Sequence, residues 1–281
     1  MGKNSDIEWT HHTFNPWWGC VKLSPACKHC YAQSWAQRLG LDLWGDDVPR
    51  RFFGENHWRE PLRWNREAEA SGERKRVFCA SMADVFEDRE DLAPWRDRLW
   101  ELIEATPSLD WLLLTKRPEC ISRMVPWSRT WPKNVWLGTT AENQEQADLR
   151  IPYLVSFPAK VRFVSCEPLL GSLDLSRWLK TKNKKGINWV IAGGESGAKA
   201  RPMNPAWAEN LRDQCLAAKV PFHFKQWGHW GPESAADRKA VESVEFQGCD
   251  GRPIRLFKLG KHATGRALGG RTWDGFPSIS G

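Results

Sequence analysis

At 281 residues the chain is long enough for one large domain, and a barrel of alternating strands and helices needs about 250. No apolar run reaches the ~18 residues of a membrane span, and Met1-Gly2-Lys3-Asn4-Ser5-Asp6 lacks the apolar region of a signal peptide. The expectation is a cytoplasmic protein with no membrane partner. Eight unevenly spread cysteines are too few for a secreted disulfide scaffold, and a formal charge of +7 is compatible with a polyanionic partner or with a solvated basic surface.

In chain order, the first feature is the stretch Gly19-Cys20-Val21-Lys22-Leu23-Ser24-Pro25-Ala26-Cys27-Lys28-His29-Cys30-Tyr31-Ala32, which follows the aromatic run Phe14-Asn15-Pro16-Trp17-Trp18. Thiolates are soft ligands, and C-x2-C on a tight loop lets two sulfurs face one metal, with Cys20 as a third. Structural zinc would need a fourth ligand, from His29, His11, His12, His57 or a distant cysteine. A 4Fe-4S cluster also takes four ligands as a rule, and with three cysteines one iron stays open. The spacing alone leaves both metals in play.

Tyr31 to Leu39 has helical spacing and stops at Gly40, and a second helix is expected over Arg59 to Ala70 before Ser71-Gly72. From there short apolar strands alternate with helices. The expected strands are Arg76 to Ser81, Asp110 to Lys116, Asn134 to Thr140, Val161 to Pro168, Ile187 to Ala192 and Val220 to Gly228. The expected helices between them include Pro94 to Thr106, Asn143 to Ser156, a short one before Leu179, and Pro205 to Lys219. Buried strands alternating with helices imply parallel β/α units. An open doubly wound sheet would satisfy this pattern too, but nearly every strand ends in polar residues, as expected when strand ends converge on the mouth of a barrel. The fold class expected is α/β, a full or partial parallel β/α (TIM-like) barrel over residues 1–230. Residues 231–281 read as an appended extension, with strands at Val244 to Phe246 and Ile254 to Lys258 around the turn Cys249-Asp250-Gly251-Arg252, and as a candidate lid.

Basic residues look dispersed, with short clusters at Arg74-Lys75-Arg76 and Lys180 to Lys185. Of nineteen tryptophans, against two tyrosines, many are expected to fill core positions or helix–strand contacts, although Trp17, Trp18, Trp227 and Trp230 stand beside candidate site residues. The strand ends carry Ser81 and Asp84, then Thr115 and Lys116, Thr139 and Thr140, Cys166 and Glu167, Glu195 and Ser196, and Lys225 and Gln226. Mixed carboxylates, lysines and hydroxyls suit a zwitterionic, ribose-bearing ligand such as S-adenosylmethionine (SAM), whose amino and carboxylate groups would also chelate an open iron.

Cys27-Lys28-His29-Cys30-Tyr31-Ala32 resembles the end of the radical SAM cluster loop, especially in the spore photoproduct lyase-like branch. Ser81-Met82-Ala83-Asp84-Val85-Phe86-Glu87 and Thr115-Lys116-Arg117-Pro118 are similar to motifs of that branch. Over the whole chain, Ile7-Glu8-Trp9-Thr10, the cysteine loop, Gly193-Gly194-Glu195-Ser196-Gly197 with Ala200-Arg201-Pro202-Met203, and Phe224-Lys225-Gln226-Trp227-Gly228 resemble the hallmarks of a phage-type family built on a three-cysteine loop. The resemblance implies a 4Fe-4S cluster on Cys20, Cys27 and Cys30, with SAM as cosubstrate and an external electron donor. It implies SAM contacts from Ser81, Asp84 and Lys116, with Thr139 and Thr140 as further candidates. Glu167, Glu195, Lys225 and Trp227 are then expected to face the substrate, with Cys166 as a hydrogen-atom donor. A nucleobase or nucleic acid is the substrate class expected. The sequence departs from the common loop in placing six residues between Cys20 and Cys27, where three are usual; an outward bulge would absorb them. The rival expectation is a non-enzymatic, zinc-stapled nucleic-acid-binding protein.

Overall fold

The computed structural model describes residues 4–127, 130–179, 186–232, 242–248 and 251–278. The basic cluster Lys180 to Lys185 and the turn residues Cys249 and Asp250 lie outside the described residues. The chain begins with β1 (His12–Thr13), β2 (Trp17–Trp18), α1 (Tyr31–Arg38), β3 (Arg51–Phe52) and α2 (Glu55–Ser71). The repeating part follows as β4 (Lys75–Cys79), α3 (Ala93–Glu104), β5 (Leu109–Thr115), α4 (Ile121–Met124), β6 (Val135–Thr140) and α5 (Gln144–Ser156). It continues through β7 (Val161–Cys166), α6 (Ser176–Leu179), β8 (Trp189–Gly193), α7 (Pro205–Ala218) and β9 (Phe222–Gln226). The last strands are β10 (Trp230–Pro232), β11 (Ser243–Gln247) and β12 (Pro253–Lys258).

Strands β1, β4, β5, β6, β7, β8 and β9 form one sheet in that order. Its registers include Val77 opposite Trp111, Leu113 opposite Leu137 and Val164 opposite Val190, all in parallel pairs. The order never reverses along the chain. With right-handed crossovers, every connecting helix then falls on the same face of the sheet, which is the winding of a barrel and not of a doubly wound sheet. The fold is α/β, a partial parallel β/α barrel. No helix among the described residues is long and apolar enough to cross a membrane.

Two compact units are distinguished: Met1–Ser24, Ala32–Thr139 and Ser156–Arg162 in the first, and Pro25–Tyr31, Thr140–Val155 and Phe163–Gly281 in the second. In the first, α2 turns Trp58, Pro61, Trp64, Asn65 and Ala68 inward and packs on β4 and β5. Gly72 stops it in the left-handed region at φ 69°, its N–H donating to the Glu69 carbonyl. Trp111, Leu112 and Leu113 of β5 are fully buried, and each such side chain contributes about 1.5–3 kcal/mol. In the second unit, α7 starts on Asn204, whose side chain accepts the Ala206 N–H, with Pro205 in the first turn. It buries Ala208, Leu211 and Cys215 and packs against β8 and β9. The extension holds an antiparallel sheet in the order β10, β12, β11 over a small core of Ala200, Trp230 and Leu256.

Candidate functional site

In the first unit the approach to Cys20 is fixed from the end of β4. Buried Asn15 donates from Nδ2 to Ser81 Oγ at 3.1 Å and accepts the Met82 N–H on Oδ1 at 2.7 Å, while Gly19 N–H donates to the Met82 carbonyl at 3.0 Å. Gly19 sits at φ +117°, where a Cβ would stand 2.5 Å from the Leu43 carbonyl and 2.6 Å from Arg50 Cδ, so no other residue fits without movement. Arg50 donates to the carbonyls of Leu43, Val48 and Gly45 and pairs with Glu87 at 2.5 Å, fully buried.

Cys20 itself lies against Arg117. That guanidinium donates from Nη2 to the Val21 carbonyl at 3.1 Å, and from Nη1 to Asp84 Oδ2 at 3.1 Å and to Cys20 Sγ at 3.7 Å. Asp84 also accepts from Thr115 Oγ1 at 2.7 Å and from the N–H groups of Lys116 and Phe86. Asp84 therefore ties the end of β4 to the end of β5, and through Arg117 to the cysteine. Burial pushes the Cys20 thiol up to about 12, with Arg117 acting against it. Burial works against the Arg117 charge, but Asp84 and Cys20 hold its pKa above the usual arginine range. Lys116 is half-buried on the same strand end, and Thr139, fully buried, donates its hydroxyl to the Thr115 carbonyl.

In the second unit a short 3₁₀ turn, Pro25–Cys27, carries Cys27, and Cys30 directly precedes α1. Ala26 N–H donates to Glu142 Oε1 at 3.1 Å, and Arg201 Nη2 donates to the Pro25 carbonyl at 3.0 Å. Both side chains are themselves paired. Glu142 meets Arg150 at 2.9 Å with both side chains almost wholly buried, and Arg150 also donates to the Thr140 carbonyl. Arg201 clasps Glu195 through Nε at 2.8 Å and Nη2 at 2.5 Å, and donates its backbone N–H to the same carboxylate. Among the described residues, no group of three or more His, Cys, Asp or Glu is arranged to hold a single metal ion.

The Gly193 to Gly197 turn and the Lys225 to Gly228 segment interlock. Gly194 N–H donates to the Gln226 carbonyl, His229 N–H to the Glu195 carbonyl, and Gln226 Nε2 to Ser196 Oγ. A Cβ on Gly194 would lie 1.9 Å from the Trp227 carbonyl oxygen. Beside this lock Lys225 Nζ meets Glu167 Oε2 at 2.7 Å, with both side chains less than one-fifth exposed. Gly193 lies at the same strand end, and an added Cβ there would meet Glu167 Cγ at 3.4 Å. Cys166 is fully buried, and burial raises its thiol well above the ordinary range. Trp227 is also buried, packed edge-on to Phe224 at 5.0 Å, with its indole N–H on the Ala267 carbonyl.

A family described as proteins of unknown function, DUF5131, matches residues 4–277. The chain belongs to that family. No curated protein and no solved structure matches it. Asp84 and Glu195 were candidates from sequence, whereas their partners Arg117 and Arg201, and the Glu142–Arg150 pair, were not singled out. Arg117 and Arg201 lie inside motifs that the sequence displays, one residue after Lys116 and six after Glu195, and their position in those motifs was a usable signal. Glu142 follows the β6 threonines by two residues, the same strand-end logic extended by one step. Arg150, in the middle of α5, carries no sequence signal for its role.

Proposed function

We propose that this protein is a radical SAM-like enzyme of the reducing cytoplasm, with Cys20, Cys27 and Cys30 as ligands of a 4Fe-4S cluster and a nucleobase or nucleic acid as substrate. One observation carries the reading. Strand-end arginine–carboxylate pairs, Asp84 with Arg117 and Glu195 with Arg201, grip the cysteine segment through its main-chain carbonyls at Val21 and Pro25. A zinc staple brings its donors onto one point. A cuboidal cluster instead places its own iron and sulfide between the cysteines, so the thiols need orientation and not convergence. The donor set fits: Cys20, Cys27 and Cys30 are half-buried, none of them in a disulfide, whereas Cys79, Cys120, Cys166 and Cys215 are buried.

When bound, the cluster supplies the electron that cleaves the SAM sulfonium and so gives a 5′-deoxyadenosyl radical. The chain's residues would do the rest. Lys116 pairs with the SAM carboxylate, and Ser81 and the β6 threonines line the same strand ends. Asp84 serves that site by holding Arg117 and the β5 end in place. Glu167 and Lys225 form an ion pair suited to hold a polar substrate group. Cys166 is kept as S–H by its burial, the state from which a hydrogen atom can be given up. Electrons come from an external donor.

Anaerobic reconstitution should give brown protein absorbing near about 400 nm with iron and sulfide bound. With dithionite and SAM it should release 5′-deoxyadenosine, and Cys27→Ala should not. Colourless protein holding one zinc that Cys27→Ala loses, with no 5′-deoxyadenosine formed by the wild type, would overturn the proposal in favour of a zinc-stapled binding protein.

A further inference from the structure

From Gly251 to Trp273 the chain carries Arg252, Arg255, Lys258, Lys261, Arg266 and Arg271, plus His262, and no acid. These six cations nearly equal the formal +7 of the whole chain, so the rest of it is close to neutral. The segment is not a loose tail. After β12 it runs back along the lock described above: Leu259 and Gly260 N–H donate to the His229 carbonyl, Thr264 Oγ1 to the Gly228 carbonyl, and Arg266 Nε to the Lys225 carbonyl. The Trp227 indole N–H closes on Ala267, and Gly197 N–H donates to His229 Nδ1. Burial, and then the neighbouring Lys258, His262 and Lys261, hold the His229 pKa below its ordinary value.

Some of the charge is already met within the protein. Lys258 pairs with Glu242 at 2.8 Å, Arg255 with Glu245 at 3.2 Å on the exposed surface, and Arg266 with Asp274. Arg271 lies 3.6 Å over the Trp273 ring, which orients its guanidinium without neutralising it. Of the remaining basic side chains, His262 and Arg271 are exposed and Lys261 is half-buried, on a stretch fastened beside Lys225 and the Glu195 turn.

We infer that the segment from Gly251 to Trp273 is a phosphate-binding surface that holds a single-stranded nucleic acid by its backbone, beside the Glu167 and Lys225 strand ends. Six cations with no acid between them, on a segment fastened along Lys225 to His229, suit the repeating charge of a phosphodiester backbone, and the Arg271 guanidinium held over Trp273 gives a planar cation for a phosphate or a base. An acidic protein would be the other polyanion to fit, but its charges are carried on separate side chains and do not require such a row. The role of this surface in catalysis rests on the radical reading above, whereas its binding does not.

The test is fluorescence anisotropy of a labelled 20-nucleotide single strand with the full chain, titrated across salt. Binding should weaken linearly in log–log form by about 0.7 per phosphate neutralised. Lys261→Gln with Arg271→Gln should reduce that slope by about 1.4 and weaken binding about tenfold at moderate salt. Arg63→Gln with Arg66→Gln, two exposed α2 cations, should leave both unchanged. Equal thermal unfolding of both variants and the wild type keeps folding out of the comparison. The inference is overturned if the wild type does not bind the strand, or if the two double variants behave alike. It is also overturned if poly-glutamate binds with the same salt slope while the strand does not. Strand binding without 5′-deoxyadenosine formation would sink the radical reading and keep the surface; the converse would do the opposite.

Discussion

At the scale of single residues, two arginines carry the site. Arg117 and Arg201 each join one carboxylate to one carbonyl of the cysteine segment, and neither is visible to a search for acids, nucleophiles and soft ligands. Glu195 illustrates the difference. Read from sequence it is a strand-end carboxylate free to meet a substrate; in the fold both its oxygens are on Arg201, and its side chain is almost completely buried. Through Arg201 it is joined to the Pro25 carbonyl, on the Cys27 side of the loop. Glu195→Gln keeps one acceptor and loses the charge, which should cost about 1–3 kcal/mol and lower Tm by several degrees. The more telling measurement is iron per protein after reconstitution, which should fall below the wild type at a temperature where both are folded. Full iron loading in this variant would show that Arg201 can hold the loop without its carboxylate.

At the scale of elements, the strands β4 to β9 are legible because each is a short segment with buried apolar residues between turn signals, and their ends fall within two residues of the expected ones. The short strands β1, β2, β3 and β10 are not, since two or three residues carry no periodicity. β1 pairs with β4 through His12 and Val77, and adds an edge that the alternating pattern does not announce. The Gly193-Gly194 turn is a second case. There the backbone of one motif passes through the space that a side chain of the other would occupy. Gly228 stands at φ +83° with the Glu195 carbonyl 2.1 Å from where a Cβ would be, mirroring Gly194 against Trp227. Neither neighbour is a side-chain tip that can swing away. Gly194→Ala should therefore cost more than about 3 kcal/mol or prevent folding, whereas Gly54→Ala, with open space around its Cβ, should stay within about 1 kcal/mol. Urea unfolding of the two variants side by side reads the contrast, and equal midpoints would refute the close crossing.

At the scale of the whole molecule, charge and thiols are both unevenly placed, and they differ in how readable they were. The basic residues look dispersed when runs of lysine and arginine are sought. Their concentration emerges only when the missing acids between Gly251 and Trp273 are noticed and the hydrogen bonds along Lys225 to His229 are known. The described thiols sort by burial, Cys20, Cys27 and Cys30 half-buried and the others buried, and the sorting has a chemical consequence that does not depend on activity. Alkylation requires both access and thiolate. Cys79, Cys166 and Cys215 are wholly buried, and burial raises all three thiols, so native protein should leave them unlabelled until it unfolds. Cys27 and Cys30, half-buried on the short turn before α1, should be modified first by iodoacetamide. Cys20 is half-buried too, but with its thiol pushed up to about 12 it should lag at pH 8. Its rate should then rise about tenfold per pH unit until that value is approached, because the thiolate fraction rises by that factor. Peptide mapping by mass spectrometry separates the sites. Reconstitution with iron and sulfide should protect Cys20, Cys27 and Cys30 together, since a cluster that takes three thiolates withdraws all of them at once. Protection of Cys27 and Cys30 with continued labelling of Cys20 at high pH would mean that the six-residue spacer leaves Cys20 out of the cluster.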